Sequence, residues 1–239
     1  MTAVELAIAC AAVAIGACAQ GSFGFGLGLV AAPVLALTDD EFVPGPLLIV
    51  ALVLTVLVAV RERADLDWRG VRWAIAGRVP GTVLGTIAVV VLPERGLVIL
   101  FAVLVLVGVI LSAVGWNVAP TSPALFSAGA ASGFMGSVTS IGGPPMALVY
   151  QRRTGSELRS SLALFFTFGT ALSVLLLSIA GEIHADDVGR AAVLAPAMLV
   201  GYAVSGYVSG WLDRGRTRTG LLVFSAATSV ALLVVELTK

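Results

Sequence analysis

Long apolar blocks alternate with short polar links along the whole chain. Ten apolar elements can be counted, and they are unequal in length. Six have the length of full spans, at 43–60, 73–92, 97–114, 158–180, 188–211 and 220–237, since roughly 17–25 apolar residues cross about 30 Å of hydrocarbon as a helix. The other four form two pairs, 3–19 with 26–37 and 123–135 with 143–150, and the second member of each is too short to cross comfortably. Each pair predicts a broken helix or a re-entrant hairpin. The expected fold class is all-α, a polytopic transmembrane helical bundle.

Between the members of the first pair lies GSFGFGLG at 21–28, and between those of the second GFMGSVTSIGGPP at 133–145. Dense glycine loosens a helix, and Pro144 and Pro145 have no backbone N–H to donate, so both stretches are expected to be non-helical. An unpaired backbone amide is costly in hydrocarbon. Such a stretch survives only where it is buried in protein or lines an aqueous cavity, which is where a binding site belongs.

The two stretches resemble each other. Setting Pro33 on Pro145, a shift of 112, brings Gly21 onto Gly133 and Gly24 onto Gly136, while Pro80 and Gly85 match Pro196 and Gly201 at a shift of 116. The order of elements, a pair and then three spans, also recurs. These features predict a duplication with repeats at 1–115 and 120–239.

Composition agrees with the spans: 59% of residues are hydrophobic and 12% charged, against roughly a quarter charged in a soluble domain. The run Ala3 to Ala19 has no basic segment before it and leads into the glycine-rich stretch, so it is expected to belong to the fold rather than to a cleaved signal. Net charge is formally zero, which gives no reason to expect a nucleic-acid partner. Arginine decides orientation. The links at 61–72, 151–159 and 212–218 are arginine-rich and are expected to face the cytoplasm, whereas those at 38–41, 93–95 and 181–190 are acidic or arginine-poor and face out. The first pair then enters from outside and the second from inside, so the halves have opposite topology, the inverted repeat of many secondary transporters.

Candidate chemistry concentrates at the breaks. Helix N-termini inside the membrane can hold an anion with unpaired amides and the positive end of the macrodipole. The short helix after Pro144 and Pro145 is expected to begin this way, with Ser137, Thr139 and Ser140 as hydroxyl donors beside Gly136, Gly142 and Gly143; in the first half Gln20 and Ser22 stand at the equivalent place, with Gly21 and Gly24. The competing explanation is that the glycines serve close helix packing and the hydroxyls bond their own helix. Arg78 lies five to six residues inside a span beginning near Trp73, about 8 Å along at 1.5 Å per residue. It either faces the protein interior or snorkels to the interface.

The remaining charges look structural. Asp39, Asp40 and Glu41, and Glu182, His184, Asp186 and Asp187, are expected to be solvated caps in outer links, and Glu5 and Glu236 stand at span ends. No buried carboxylate is visible to couple transport to protons or sodium. Trp68, Trp73, Trp116 and Trp211 flank spans as interface anchors. Cys10 and Cys18 read as small packing residues or, less simply, a thiol relay; no metal-ligand spacing exists, and no His/Glu or Ser/Lys set lies at depth to make an intramembrane enzyme.

The segments GSFGFGLGLVAAPVL and SGFMGSVTSIGGPPMAL, with the paired PGTVLGT and PAMLVGY, resemble the TauE/SafE family of sulfite exporters over nearly the whole chain. The resemblance implies a multi-pass permease of the bacterial inner membrane for sulfite, sulfonates or other organic anions. The family's characteristic positions correspond to Gly21, Gly24 and Pro33, and to Gly133, Gly136, Gly142, Gly143 and Pro145. Related thiosulfate transporters use cysteines along their path; the second half here has none, so no thiosulfate relay is expected. The expected function is alternating-access transport of a small anion, probed against two alternatives, a membrane assembly or scaffold protein and a carrier of a non-sulfur organic anion. Expected partners are the anion and membrane lipid, with a homo-oligomer left open; no cofactor is expected.

Overall fold

The computed structural model describes residues 2–62, 66–114, 118–150, 153 and 155–212. Among them are nine α-helices and no strand: α1 (Ala3–Phe23), α2 (Leu27–Thr38), α3 (Gly45–Arg61), α4 (Trp68–Val91), α5 (Glu94–Val114), α6 (Ser122–Thr139), α7 (Gly143–Tyr150), α8 (Gly155–Ile179) and α9 (Ala185–Leu212). The expected span at 220–237, the arginine-rich link from residue 213 onward, Trp116 and Glu236 lie outside the described residues.

Among the described residues, six segments are long and apolar enough to cross a membrane, Ala3–Phe23, Asp40–Arg61, Trp68–Val91, Glu94–Leu111, Glu157–Ile179 and Ala185–Tyr207. The chain is a multi-pass membrane protein. Its exposed faces are apolar, as with Leu84, Ile87 and Val91 on α4 and Leu175 and Ile179 on α8, which is the surface that lipid rather than water requires. Trp68 and Trp73 are exposed at the start of α4, as interface anchors would be. α1 is a full-length helix here, longer than the apolar run at 3–19, because Thr2 and Glu5 form a reciprocal capping box at its start and it continues through Gln20 to Phe23.

The breaks are shorter than glycine content suggests. α1 ends at Gly24 and α6 at Ser140, both in the left-handed conformation, and each cap N–H returns to the carbonyl four residues back, Gln20 and Gly136. Only Gly24–Gly26 and Ser140–Gly142 are non-helical. The rest of 21–28 and 133–145 stays helical because neighbouring helices pack on it and tertiary contact overrides intrinsic propensity. The break ends, Gly24 and Ser140, the following helix starts, Leu27 and Gly143, and the internal prolines, Pro80 and Pro196, are all 116 residues apart. The alignment of Pro33 with Pro145 is therefore one helical turn out of step with the elements.

α4 packs on α6, α1 on α9 and α3 on α8. The α4–α6 seam is backbone against backbone. A methyl group at Gly81 would overlap the carbonyl of Ala130, and one at Gly129 the carbonyl of Ala74. Small residues spaced along both helices allow this approach, and dispersion then holds the pair where no hydrophobic force between helices exists.

Polar links gather at two ends. At one, Glu62 pairs with Arg159 at 3.1 Å, the Asp67 N–H donates to Ser161 Oγ at 3.1 Å, and Tyr150 donates to Asp67 at 3.3 Å. At the other, Arg190 pairs with Glu41. Asp187 differs from the expected solvated cap: it is 7% exposed, accepts the His184 N–H at 2.7 Å and faces Arg190 at 3.3 Å. That bond satisfies a backbone N–H left open at the start of α9, as a cap does.

Candidate functional site

The two breaks meet. Gly28, in the first turn of α2, abuts the backbone of Ser140, where any side chain would collide with the Ser140 carbonyl, and Gly143 at the start of α7 lies against the Phe25 ring. Between them is a cavity of about 40 Å³. The first break contributes Gln20, Phe25, Gly26 and Gly28, and the second contributes Gly136, Ser140, Gly142 and Gly143; α3 adds Thr55, α8 adds Phe166 and Thr170, and α4 adds Arg78.

Arg78 is 1% exposed and does not snorkel. The reason lies in the length of α4, which begins at Trp68 rather than near Trp73; ten residues of helix put Arg78 about 15 Å along it, beyond easy reach of the interface. Its Nη1 donates to Ser132 Oγ at 2.6 Å and to the Ser132 carbonyl at 3.1 Å. Ser132 Oγ in turn donates to the Gly142 carbonyl at 2.5 Å, so the guanidinium is tied to the second break. The Phe165 ring lies 5.2 Å from Cζ, within cation–π range. Nε is buried without a hydrogen-bond partner, and among the described residues Arg78 pairs with no carboxylate.

Three glycines make room for this side chain. A methyl at Gly169 would overlap Nε, one at Gly142 would stand 2.8 Å from Nη1, and one at Gly136 would stand 2.9 Å from Nη2. Ser132 and Gly169 were not singled out from sequence. A serine just ahead of a glycine-rich run and a lone glycine within an apolar span carry no mark of their own; the signal that could have found them is the buried arginine, which obliges neighbouring helices to supply both a hydrogen-bond acceptor and a gap.

The helix N-termini supply fewer amides than expected. Gln20 Oε1 already accepts the Leu27 N–H at 3.1 Å at the start of α2, and Pro144 and Pro145 remove two donors from the first turn of α7. Positive charge at the cavity therefore rests mainly on Arg78.

Of the residues singled out from sequence, the structure brings Gln20, Arg78, Gly136, Ser140, Gly142 and Gly143 to the cavity wall. The others stand elsewhere. Ser137 bonds to Ser173 at 3.0 Å, and Thr139 donates to the Met135 carbonyl at 2.7 Å while accepting the Ile141 N–H at 3.1 Å. Ser140 itself donates to the Pro44 carbonyl at 3.2 Å. Ser22 lies against Cys18 on α1, Gly24 forms the left-handed cap, and Gly21 offers its carbonyl to Arg61 Nη2 at 2.6 Å. Arg61 also donates to Ser205 Oγ at 2.9 Å and stands 4.7 Å from the Tyr202 ring, fastening α1 to α3 and α9 just before the first break. Cys10 and Cys18 are free thiols, and neither lines the cavity.

No curated protein and no solved structure matches the chain. The family described as sulfite exporter TauE/SafE matches residues 8–232. With its multi-pass helical fold, the chain belongs to the sulfite exporter TauE/SafE family of membrane transporters.

Proposed function

We propose that the protein carries a small sulfur oxyanion, sulfite or an organosulfonate, across the bacterial inner membrane by alternating access. The observation that carries this reading is Arg78: a fixed positive charge, 1% exposed, on the wall of a cavity between two broken helices and with no carboxylate partner among the described residues. Ionisable groups inside a membrane are expensive, and they are kept where they serve a solute path. A bound anion supplies the missing counter-charge, and the uncharged hydrogen-bonding groups around it, Gln20, Thr55 and Thr170, suit an oxyanion that must shed its water.

The moving parts follow from the two halves. The offset of 116 residues between equivalent elements, together with the crosswise packing of α4 on α6 and α1 on α9, supports a duplication into repeats 1–115 and 120–239 with opposite topology. Rocking of one unit against the other would open the cavity first to one side and then to the other. No covalent step is required of the protein.

Counterflow of radiolabelled sulfite into liposomes preloaded with unlabelled sulfite tests the claim. Preloading should accelerate entry of label, and replacing Gly136 or Gly143 with leucine should abolish the acceleration. Equal entry into loaded and empty liposomes would remove sulfite as substrate, and counterflow that survives both replacements would move the site elsewhere.

A further inference from the structure

Among the described residues, Arg78 is the one ionisable residue on the cavity wall. No carboxylate, histidine or second cation faces the cavity from α1, α2, α3, α6, α7 or α8. Arginine keeps its proton at any pH a protein meets, so the cavity presents a fixed charge of one sign and unit size. A ligand with a single negative charge neutralises it. A dianion would leave one negative charge buried and unpaired, which protein interiors tolerate poorly.

Size and donor geometry narrow the ligand further. The cavity measures about 40 Å³, and a water needs roughly 10–15 Å³ on that measure, so there is room for about three water-sized groups. Ser132 occupies Nη1, while among the described residues Nε has no partner and no hydrogen bond engages Nη2. A guanidinium whose Nε and Nη2 are not spent on protein acceptors keeps donor capacity for an oxyanion.

Resting on the permease reading, we propose that this site selects by charge state: it takes a small monovalent oxyanion, hydrogen sulfite rather than the sulfite dianion, and excludes divalent oxyanions such as sulfate. Hydrogen sulfite loses its remaining proton near neutral pH, so both forms are present around the site under ordinary conditions. Each hydrogen sulfite carried brings its own proton across. Proton movement is then coupled to sulfur movement with no titrating side chain on the cavity wall. Nothing is oxidised or reduced, and no bond in the protein is made or broken.

The test uses the full chain in liposomes of phosphatidylethanolamine and phosphatidylglycerol. Entry of radiolabelled sulfite is measured at constant total sulfite on both sides of its second ionisation, with protein-free liposomes subtracted to remove leakage of sulfur dioxide. Arg78→Gln liposomes should lose the remaining flux, and flux that survives in them overturns the inference. Flux should follow hydrogen sulfite, falling about tenfold for each pH unit above that ionisation, and nitrate should compete equally at every pH. Flux that holds constant or rises with the dianion overturns the inference and leaves the permease reading standing.

Absence of protein-dependent flux for any anion would instead overturn the permease reading. A binding arm then still decides the charge preference. The detergent-solubilised protein is heated with nitrate or with sulfate at matched ionic strength, both kept below the range where sulfate stabilises proteins non-specifically. Nitrate should raise Tm and sulfate should not; an equal or larger shift with sulfate overturns the proposal.

Discussion

Nη1 of Arg78 donates to the hydroxyl of Ser132 across 2.6 Å, and that hydroxyl hands its own hydrogen to the carbonyl of Gly142. One side chain on α6 thus orients the charge on α4 and closes the backbone of the second break. Replacing Ser132 with alanine should cost about 1–3 kcal/mol, the usual result of leaving buried polar groups unsatisfied. Thermal unfolding of the purified variant, read beside its sulfite counterflow, checks this. Unchanged stability and unchanged flux together would mean that the Ser132 contacts do nothing.

Gly169→Ala should impair transport while leaving the protein in the membrane. The added methyl overlaps Nε of Arg78, and relieving that overlap in a packed site costs about 1–3 kcal/mol or displaces the guanidinium. Gly189→Ala is the matched control, since nothing lies within 4 Å of a methyl there. Equal flux from the two variants would show that the Gly169 gap is not needed to seat Arg78.

The α4–α6 seam should be intolerant of bulk at any point along it. Gly81→Leu and Gly129→Leu place side chains where the carbonyls of Ala130 and Ala74 now sit. Both variants should fail to accumulate in membranes, measured by quantitative blotting. Normal accumulation of either would mean that the two helices can separate without loss of the fold.

Glu41→Gln removes the pairing with Arg190 while leaving Arg190 on Asp187. Both side chains are partly exposed, and such pairs are worth about 0.2–1 kcal/mol and are screened by salt. Stability should therefore drop only slightly, and less in high salt, with flux intact. A large loss of stability in a melting experiment would show that this contact clamps its end of the bundle.

Much of the architecture was legible in the chain because hydrocarbon imposes a length on every span. The short second members, α2 and α7, were visible for that reason, and so were the breaks beside them. Extent was misjudged at those breaks. Glycine lowers helix propensity residue by residue, yet Gly133 stays helical with α4 lying directly on it. Arg78 illustrates the other limit: its depth depended on where α4 begins, and its direction on which helix covers that face. Ser137 and Thr139 looked like ligand donors, but one is spent on Ser173 and the other on its own helix end. Hydroxyl roles of this kind are settled by tertiary contacts that composition does not record.

Burial of Arg78 also bears on how the protein is made. A central arginine costs about 2.5–3.5 kcal/mol on insertion scales, and the acceptor that relieves it, Ser132, lies 54 residues further along the chain. At a synthesis rate of about 5–20 residues per second, α4 must wait roughly 3–10 s for that partner to emerge. During that interval α4 has every reason to stay beside the insertion machinery rather than enter lipid, so α4 and α6 are expected to leave it together, as a pair already fastened through the guanidinium.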